Sequence, residues 1–425
     1  MTRNALPVRR HDHLKIALLA HLHHPIASPY AGGLEAHTAH LAEELARRGH
    51  DVTLFAKGGT SSRAHVVPVL SKRFRVSGYP DDARRDHQHA ALDGAMLKAV
   101  RRARSDGFDV VLNNSLSPVP YRGLAGMPTL NVFHTPPLPR VVGLFESPGW
   151  IPDPLHAFAS VSESNARLWR RYLPHVTAIH NGIPLEQWGP DARRRPDQAM
   201  WSGRITPEKG THLAIAAARR AGMDLTLAGP IFDEEYFRVM VQPELDDSIR
   251  YAGHLEHRGL RTLLSRAGVF VSSPLWEEPF GLNVVEALAC GTPVAALPSG
   301  AMPEIVGPDA GVVAAGLDAG ALADAMLAAR ELPTVGVLQA ARHFSIEAMV
   351  DRYEERLWDV SRRRAALSGQ AVGRGGAGLA GGAGLAGGAG LGDGAGPTDG
   401  AVPRETAERG GEQAPDAAGE PAAGH

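Results

Sequence analysis

Two carboxylates, Glu278 and Glu286, lie eight residues apart, on either side of Phe280 and Gly281. On one helix, a rise of about 1.5 Å per residue would separate them by about 12 Å, roughly the span from a sugar ring to a nucleotide ribose. Free backbone N–H groups at the helix N-terminus would suit a diphosphate between them. We therefore expect one helix to contact three parts of a nucleotide-sugar, although ordinary surface glutamates can share this spacing.

Two cations, Arg204 and Lys209, lie in a run that ends in Gly210. Arginine binds a phosphate through two parallel hydrogen bonds, and lysine adds a mobile point charge. The run follows a predicted strand and precedes a predicted helix, which is where open α/β sheets bind their ligands. These residues predict an anion site, the alternative being two solvated surface cations.

Three further features extend the candidate site along the chain. Gly32 and Gly33 open a predicted helix after the first strand, where they allow close backbone approach to an anion or form a simple tight turn. His134 ends a predicted strand and could exchange a proton near neutral pH or serve a structural role. Leu255 follows another strand end, where a nucleobase could pair with backbone atoms.

A metal site is not expected from the histidines His21, His23 and His24, because adjacent loop histidines without a matching cysteine or aspartate are more often solvated. The chain has one cysteine, Cys290, and no Asp-x-Asp run. We therefore expect an enzyme without a metal or another cofactor.

Length and charge limit the classes of protein that remain. A chain of 425 residues is too long for one core and suggests two domains. Its 44 basic and 46 acidic residues give a net charge of −2, which does not suggest nucleic-acid binding. No apolar stretch reaches the length of a membrane span, and the single cysteine fits a reducing compartment. We expect a cytoplasmic protein and leave peripheral membrane contact open.

Short apolar runs alternate with helical periods, which predicts parallel sheets covered by helices on both faces. The first series of predicted strands is 14–20, 52–56, 65–69, 109–113, 129–134, 158–161 and 176–179. The pattern restarts near 199 with strands at 200–203, 225–228, 250–253, 269–272 and 294–297. Predicted helices include 83–104, 163–172, 210–221, 234–241, 260–267 and 280–289. Two such series indicate two doubly wound α/β domains with a ligand cleft between them.

The ends of the chain differ from this pattern. Residues 346–366 are predicted to form an amphipathic helix, with Met349, Tyr353 and Leu357 at core spacing. From 367 to 425 a Gly/Ala-rich repeat and a polar stretch predict a disordered tail. Residues 1–13 are polar and predict a flexible N-terminus.

Taken together, these features resemble the family 4 retaining glycosyltransferases, which have the GT-B fold. The resemblance is carried by Glu278 and Glu286 with Phe280–Gly281 between them, by Gly203–Arg204 with Lys209–Gly210, and by the run 48–55. The sequence of residues 277–294 is similar to that of an actinobacterial branch of the family, which includes enzymes of antibiotic glycosylation. The resemblance implies an acceptor domain at 14–184, a donor domain at 185–345, and a helix at 346–366 that packs back on the first domain.

The resemblance also implies a role for each residue. Arg204 and Lys209 would bind the donor diphosphate, Glu286 the ribose and Glu278 the transferred sugar, while His134 would lie beside the sugar and the acceptor. The expected catalytic residues are His134, Arg204, Lys209 and Glu278. The expected donor-binding residues are Gly32, Gly33, Arg204, Lys209, Leu255, Glu278, Phe280, Gly281, Leu282 and Glu286. The chain departs from the family at 299–301, where Ser-Gly-Ala replaces the usual paired glycine.

The expected reaction is metal-independent transfer of a hexose from a UDP-sugar or GDP-mannose to an acceptor hydroxyl, with the anomeric configuration retained. The residues leave two alternatives open. A nucleotide-sugar epimerase of the same fold would convert the donor without an acceptor. A non-catalytic nucleotide-sugar-binding partner protein would bind the donor without turnover.

Overall fold

A computed structural model describes residues 13–76, 82–190 and 195–375, and within these ranges the side chains of 82–84 and 365–375 are left aside. The chain forms two parallel sheets flanked by helices, which confirms the predicted α/β class and its two-fold repetition. The predicted flexible N-terminus up to residue 12 and the predicted disordered tail beyond 375 lie outside the described residues.

The N-terminal half (13–190) contains a seven-stranded parallel sheet in the order β3-β2-β1-β4-β5-β6-β7. Its strands are β1 (Lys15–Leu19), β2 (Asp51–Lys57), β3 (His65–Leu70), β4 (Val110–Asn113), β5 (Thr129–Phe133), β6 (His156–Ser160) and β7 (Thr177–Ala178). Its helices are α1 (Gly33–Arg47), α2 (Asp82–Ser105), α3 (Val119–Gly123), α4 (Pro139–Phe145) and α5 (Glu163–Trp169). Strands β4, β5 and β6 are buried along their whole length, because helices cover both faces of the sheet.

The C-terminal half (195–341) contains a six-stranded parallel sheet in the order β10-β9-β8-β11-β12-β13. Its strands are β8 (Arg195–Ser202), β9 (Asp224–Ala228), β10 (Ile249–Tyr251), β11 (Ala267–Ser272), β12 (Val294–Ala296) and β13 (Gly311–Val313). Its helices are α6 (Thr211–Ala221), α7 (Glu234–Tyr236), α8 (His257–Arg266), α9 (Leu282–Ala289), α10 (Met302–Ile305), α11 (Ala319–Ala329) and α12 (Thr334–Ala341). A π turn over Phe237–Val241 continues α7.

The last helix, α13 (Ile346–Gly375), lies against the N-terminal half. Its core-spaced Tyr353 and Leu357 are fully buried. Arg48, which follows α1, donates to Asp351 at 2.6 Å and to Glu354 at 2.8 Å. These contacts place the first turns of α13 beside α1 of the N-terminal half.

One carboxylate of the C-terminal half, Glu304 on α10, contacts the N-terminal half through three hydrogen-bonding groups. It accepts from the backbone N–H groups of Glu163 at 2.8 Å and Ser164 at 3.0 Å, in the first turn of α5. The Nε2 atom of His180 lies 2.5 Å from the same carboxylate. A negative charge at a helix N-terminus is favourable. The Glu304 carboxylate therefore joins the two halves through a favourable contact with the start of α5.

Two predicted boundaries were wrong. Helix α9 begins at Leu282, after Gly281 adopts a left-handed φ of 91°, so Glu278 lies in the preceding loop and not on the helix. The separation of about 12 Å expected for Glu278 and Glu286 on one continuous helix therefore does not apply. Helix α13 continues past the predicted end at 366 to Gly375, into the region where the composition predicted the tail.

Candidate active site

The site lies where the strand order reverses in each sheet, between β1 and β4 and between β8 and β11. The loops after β1, β8 and β11 leave the carboxyl ends of these strands and run to the starts of α1, α6 and α9. Open α/β sheets bind ligands at such switch points. These loops carry most of the residues that the sequence singled out.

Two cavities open in this region, with volumes of about 280 Å³ and about 520 Å³. Both halves of the chain line each of them. The wall that the two cavities share consists of Ala31, Gly32, Gly33, Arg204, Lys209, Glu278, Gly281 and Leu282. A ligand with three parts could therefore place its middle part at this wall and its ends in the two cavities.

The shared wall combines two helix N-termini with two cations. Helix α1 begins at Gly33 and α9 at Leu282, and a Cβ atom on Gly33 would lie 3.1 Å from the Leu282 side chain. The helix starts therefore approach each other closely, and a side chain at position 33 would crowd Leu282. Unpaired N–H groups and the positive ends of both helices favour an anion between them.

The two cations of the wall are held differently. The Arg204 guanidinium lies over the Phe232 ring, 5.3 Å from its centroid, and no carboxylate among the described residues pairs with it. The Lys209 ammonium lies 2.5 Å from the Glu278 carboxylate and 5.1 Å from the centroid of the Trp276 ring. Arg204 is thus available to an anion, whereas Lys209 shares its charge with Glu278.

The larger cavity contains Glu286, the residue predicted to bind the ribose. Glu286 projects from α9 into it, and Leu255 lines the same space. Burial raises the pKa of Glu286 to about 7. Because the carboxylate of Glu286 is partly desolvated, it is suited to accept hydrogen bonds from neutral hydroxyl groups.

The smaller cavity holds His134, which follows β5. Its Nε2 atom is buried without a hydrogen-bond partner among the described residues. Burial, together with His37 and His21, holds the pKa of His134 well below its usual range, so the ring is neutral. The His37 ring lies 4.7 Å from that of His134, and the Tyr353 hydroxyl from α13 lies 3.4 Å from His37.

The loop at 299–301 supports Glu278 and lines neither cavity. A Cβ atom on Gly300, at φ 57°, would lie 2.2 Å from the backbone oxygen of Glu278, and the Ala301 N–H donates to that oxygen at 2.9 Å. The lack of a side chain at Gly300 lets this loop close on the backbone of Glu278.

The prediction that the early histidines are solvated was wrong for His21, which is buried with 4% of its surface exposed. All three early histidines line the smaller cavity. Four further residues, to which the sequence patterns assigned no role, line the same cavity: Glu35, Asn181, Phe232 and Trp276. Phe280, a predicted donor contact, also lines it. Glu35 had a local signal in the sequence, because it is an acid in the first turn of a helix that begins with two glycines.

No group of three histidine, cysteine, aspartate or glutamate side chains within residues 13–76, 82–190 and 195–375 is arranged to hold a metal ion. Over the same ranges, no helix combines the length and the apolar character needed to cross a bilayer.

Comparison with known proteins gives matches over both halves of the chain. Residues 187–344 match the family described as glycosyl transferases group 1, and residues 31–187 match glycosyltransferase family 4. The chain is 29% identical to glycogen synthase of Mycobacterium tuberculosis over 358 residues, which cover 73% of this chain and 85% of that protein.

A second relative is the D-inositol 3-phosphate glycosyltransferase of Mycobacterium bovis, which is 26% identical over 420 residues, covering 85% of this chain and 87% of that protein. Among solved structures, HepE of Anabaena in complex with UDP-glucose has a TM-score of 0.60 at 16% identity, covering 81% of this chain and all of that one, 100%. This structural likeness supports the fold alone.

Proposed function

The chain belongs to the glycosyltransferases with the GT-B fold, and from this premise we propose that it transfers a hexosyl group from a nucleoside-diphosphate sugar to an acceptor hydroxyl, with retained anomeric configuration. One observation carries the proposal: two cavities meet at a wall made of two helix N-termini, Arg204 and Lys209. A donor with a central diphosphate fits this arrangement of charge.

The donor would lie across both cavities. Its nucleoside would occupy the larger one, where Glu286 accepts hydrogen bonds from the ribose and Leu255 lies beside the base. Its sugar would occupy the smaller one, between Glu278 and His134. The neutral His134 ring has a free buried nitrogen for a sugar hydroxyl, which makes the imidazole a hydrogen-bonding group here and not a cation.

The chemistry requires stabilisation of the leaving diphosphate. As the bond from the anomeric carbon to the phosphate oxygen lengthens, negative charge grows on the phosphate next to Arg204, Lys209 and the start of α9. Groups that are already oriented toward this charge lower the barrier because they need no reorganisation. The leaving phosphate accepts the acceptor's proton on the same face of the sugar, which gives retention. Because protein groups supply the positive charge, no metal ion is needed.

The names of the relatives support the proposed class of donor. The two relatives are named glycogen synthase and D-inositol 3-phosphate glycosyltransferase, and the structural neighbour HepE is in complex with UDP-glucose. These names support a nucleotide-sugar donor with a glucose-type hexose. We keep both UDP-sugars and GDP-mannose as donors to be tested.

The experiment has a binding step and a product step. Purified protein is screened by thermal shift against UDP-glucose, UDP-N-acetylglucosamine, GDP-mannose and the free nucleotides, since a ligand at about 100 times its Kd adds about 2.7 kcal/mol of stability. The stabilising donor is then incubated with sugar acceptors, and NMR of the product gives its anomeric configuration. An inverted product, or loss of activity with EDTA that Mn²⁺ restores, contradicts the mechanism. Isomerisation of the donor without an acceptor indicates an epimerase.

A further inference from the structure

The acceptor side of the smaller cavity has an unusual charge composition. Among the described residues that line it, the N-terminal half contributes no lysine or arginine. Its polar side chains there are His21, His23, His24, Glu35, His134, Thr135 and Asn181. The two cations of the cavity, Arg204 and Lys209, come from the other half and belong to the wall shared with the larger cavity.

Glu35 is the only acid that the N-terminal half places in this cavity, among the residues described. It lies in the first turn of α1 and is buried, with 4% of its surface exposed. Its Oε1 atom lies 3.3 Å from His21 Nε2, and its Oε2 atom lies near the backbone of Gly32, 3.2 Å from where a Cβ atom would be. The carboxylate is therefore held in the smaller cavity, next to Gly32.

Two other polar atoms in the same cavity are buried without partners. His134 Nε2 and Asn181 Oδ1 have no hydrogen bond to any described residue, and both side chains line the cavity. A buried polar atom without a partner is costly, so native structures pair nearly all of them with protein, water or ligand. This group of unpaired atoms can be satisfied by hydroxyl groups, which both donate and accept.

His21 and His23 do not supply a positive charge to this side of the cavity. Burial and neighbouring cations lower the pKa of His21 to about 3 and that of His23 to about 4. Lys57 is near but buried, donates to the backbone oxygen of His23 at 2.7 Å, and does not line the cavity. An anionic acceptor would therefore meet a carboxylate and neutral rings.

We propose that the acceptor is a neutral polyhydroxylated molecule, a sugar or polyol, and that Glu35 accepts a hydrogen bond from one of its hydroxyls. The inference rests on the proposed function and names its acceptor class. In the transfer step, the acceptor oxygen bonds to the anomeric carbon as the carbon–phosphate oxygen bond breaks, and the acceptor proton passes to the leaving phosphate. Glu35 orients the acceptor and takes no proton.

The test uses matched pairs of acceptors: glucose with glucose 6-phosphate, and myo-inositol with one of its monophosphates. Each is incubated with wild-type protein and the donor that stabilises it, and products are followed by mass spectrometry. Binding of each acceptor in the presence of the donor's nucleoside diphosphate is measured by calorimetry. We expect the neutral member of at least one pair to bind or react, with kcat/KM at least tenfold above its phosphate ester.

The role of Glu35 is tested in Glu35→Gln, with Glu146→Gln as the control because Glu146 is exposed on the same half. Loss of one charge-assisted hydrogen bond should lower acceptor kcat/KM roughly tenfold to a hundredfold. The donor KM and the donor-induced thermal shift should stay within about twofold of the wild-type values. A general loss of structure would change the donor and acceptor parameters together. Glu146→Gln should match wild type.

Three results overturn the inference: a preference for the phosphate esters, no binding of any neutral acceptor while the donor still binds, or an equal effect of Glu35→Gln on donor and acceptor. The acceptor preference is read from the wild-type protein, so it does not depend on the folding of the variant. Failure of the proposed function is a separate outcome, because it appears as the absence of donor binding in wild type.

Discussion

The Lys209 ammonium donates a hydrogen bond to the Glu278 carboxylate, with 2.5 Å between nitrogen and oxygen. The Glu278 carboxylate also accepts from the Trp276 indole at 2.9 Å, and both charged side chains are largely buried. A residue proposed for the phosphate and a residue proposed for the sugar are thus fixed relative to each other before a donor arrives. This orientation would place the bond to be broken between them.

Lys209→Ala is expected to lower kcat by about 100- to 1000-fold, the usual effect of removing one preorganised charge donor. It also leaves Glu278 without its ion-pair partner, which should weaken donor binding. Steady-state kinetics and donor-induced thermal shifts measure the two effects. The control is Lys98→Ala, because Lys98 is exposed on α2 and remote in sequence from the site. Unchanged donor affinity and turnover in Lys209→Ala would remove Lys209 from the site.

The raised pKa of Glu286 predicts that donor affinity depends on pH. Its pKa is raised to about 7 by burial, so the ionised form, which accepts hydrogen bonds from both ribose hydroxyls, becomes populated as the pH rises through 7. We expect tighter binding of a nucleotide-sugar at pH 8 than at pH 6. Glu286→Gln should bind roughly tenfold to a hundredfold more weakly at pH 8 and lose this component of the pH dependence. Calorimetric titration at both pH values measures the difference.

The same variant should be more stable than wild type at alkaline pH. The pKa of Glu286 is higher in the folded state than in the unfolded state. At a pH between these two pKa values, unfolding releases a proton, so the folded state loses stability as the pH rises from about 4.5 to 7. The cost is constant above 7. Glu286→Gln should therefore gain on the order of 1–3 kcal/mol at pH 8, and little at pH 4. A less stable variant at pH 8 would indicate that Glu286 has a structural partner.

Much of the fold could be predicted because parallel strands that are buried on both faces leave short, wholly apolar runs in the sequence. The elements that were missed lack such a signal. Helices α3, α4 and α10 have seven residues or fewer, with proline at or next to their first residue, and they show no helical period. Helix α11 has apolar residues on most of its surface, so its sequence could not mark one buried face.

The site could be predicted where its chemistry is local. Arg204, Lys209 and Glu286 lie in short runs with the right neighbours, and all three line the cavities. The partners of Glu35 and His134 could not be read, because they depend on distant pairings. Tyr353 contacts His37 across 316 positions, and the backbone at Gly300 supports Glu278 only after two loops fold together.

The contacts of Glu304 between the two halves are expected to contribute to the free energy of unfolding. Glu304→Ala removes the acceptor for the N–H groups of Glu163 and Ser164 and for His180, which should lower the free energy of unfolding by about 2–4 kcal/mol. Urea unfolding measures this. Glu355→Ala is the control, since Glu355 is an exposed glutamate of α13. Equal stability of the two variants would show that the contact does not hold the halves together.

The effect of Glu304 should also depend on pH. Burial alone would raise the pKa of Glu304, but hydrogen bonds from His180 and from the amides of Glu163 and Ser164 lower it overall. A lowered folded-state pKa stabilises the protein above the unfolded value and loses this effect as the pH falls through the folded value. The difference between wild type and Glu304→Ala should therefore be full at pH 7 and shrink under acidic conditions.

Gly281 offers the sharpest test of the anion site, because its backbone sets the start of α9. Its φ of 91° is unfavourable for other residues, and a Cβ atom would lie 2.7 Å from the flexible end of Met302. Gly281→Ala is expected to cost about 1–2 kcal/mol in backbone strain and to turn the first N–H groups of α9 away from the wall. Donor kcat/KM should fall at least tenfold, because those groups are proposed to bind the distal phosphate.

The matched control is Gly94→Ala in α2, where a Cβ atom meets nothing within 4 Å. Alanine in a helix interior is favoured over glycine by about 0.5–1 kcal/mol, so this variant should be slightly more stable and fully active. Steady-state kinetics and urea unfolding of both variants separate the anion site from general effects of a methyl group. If Gly281→Ala loses stability but keeps its donor kcat/KM, the N-terminus of α9 does not bind the phosphate, and Arg204 and Lys209 must hold it without help from this helix.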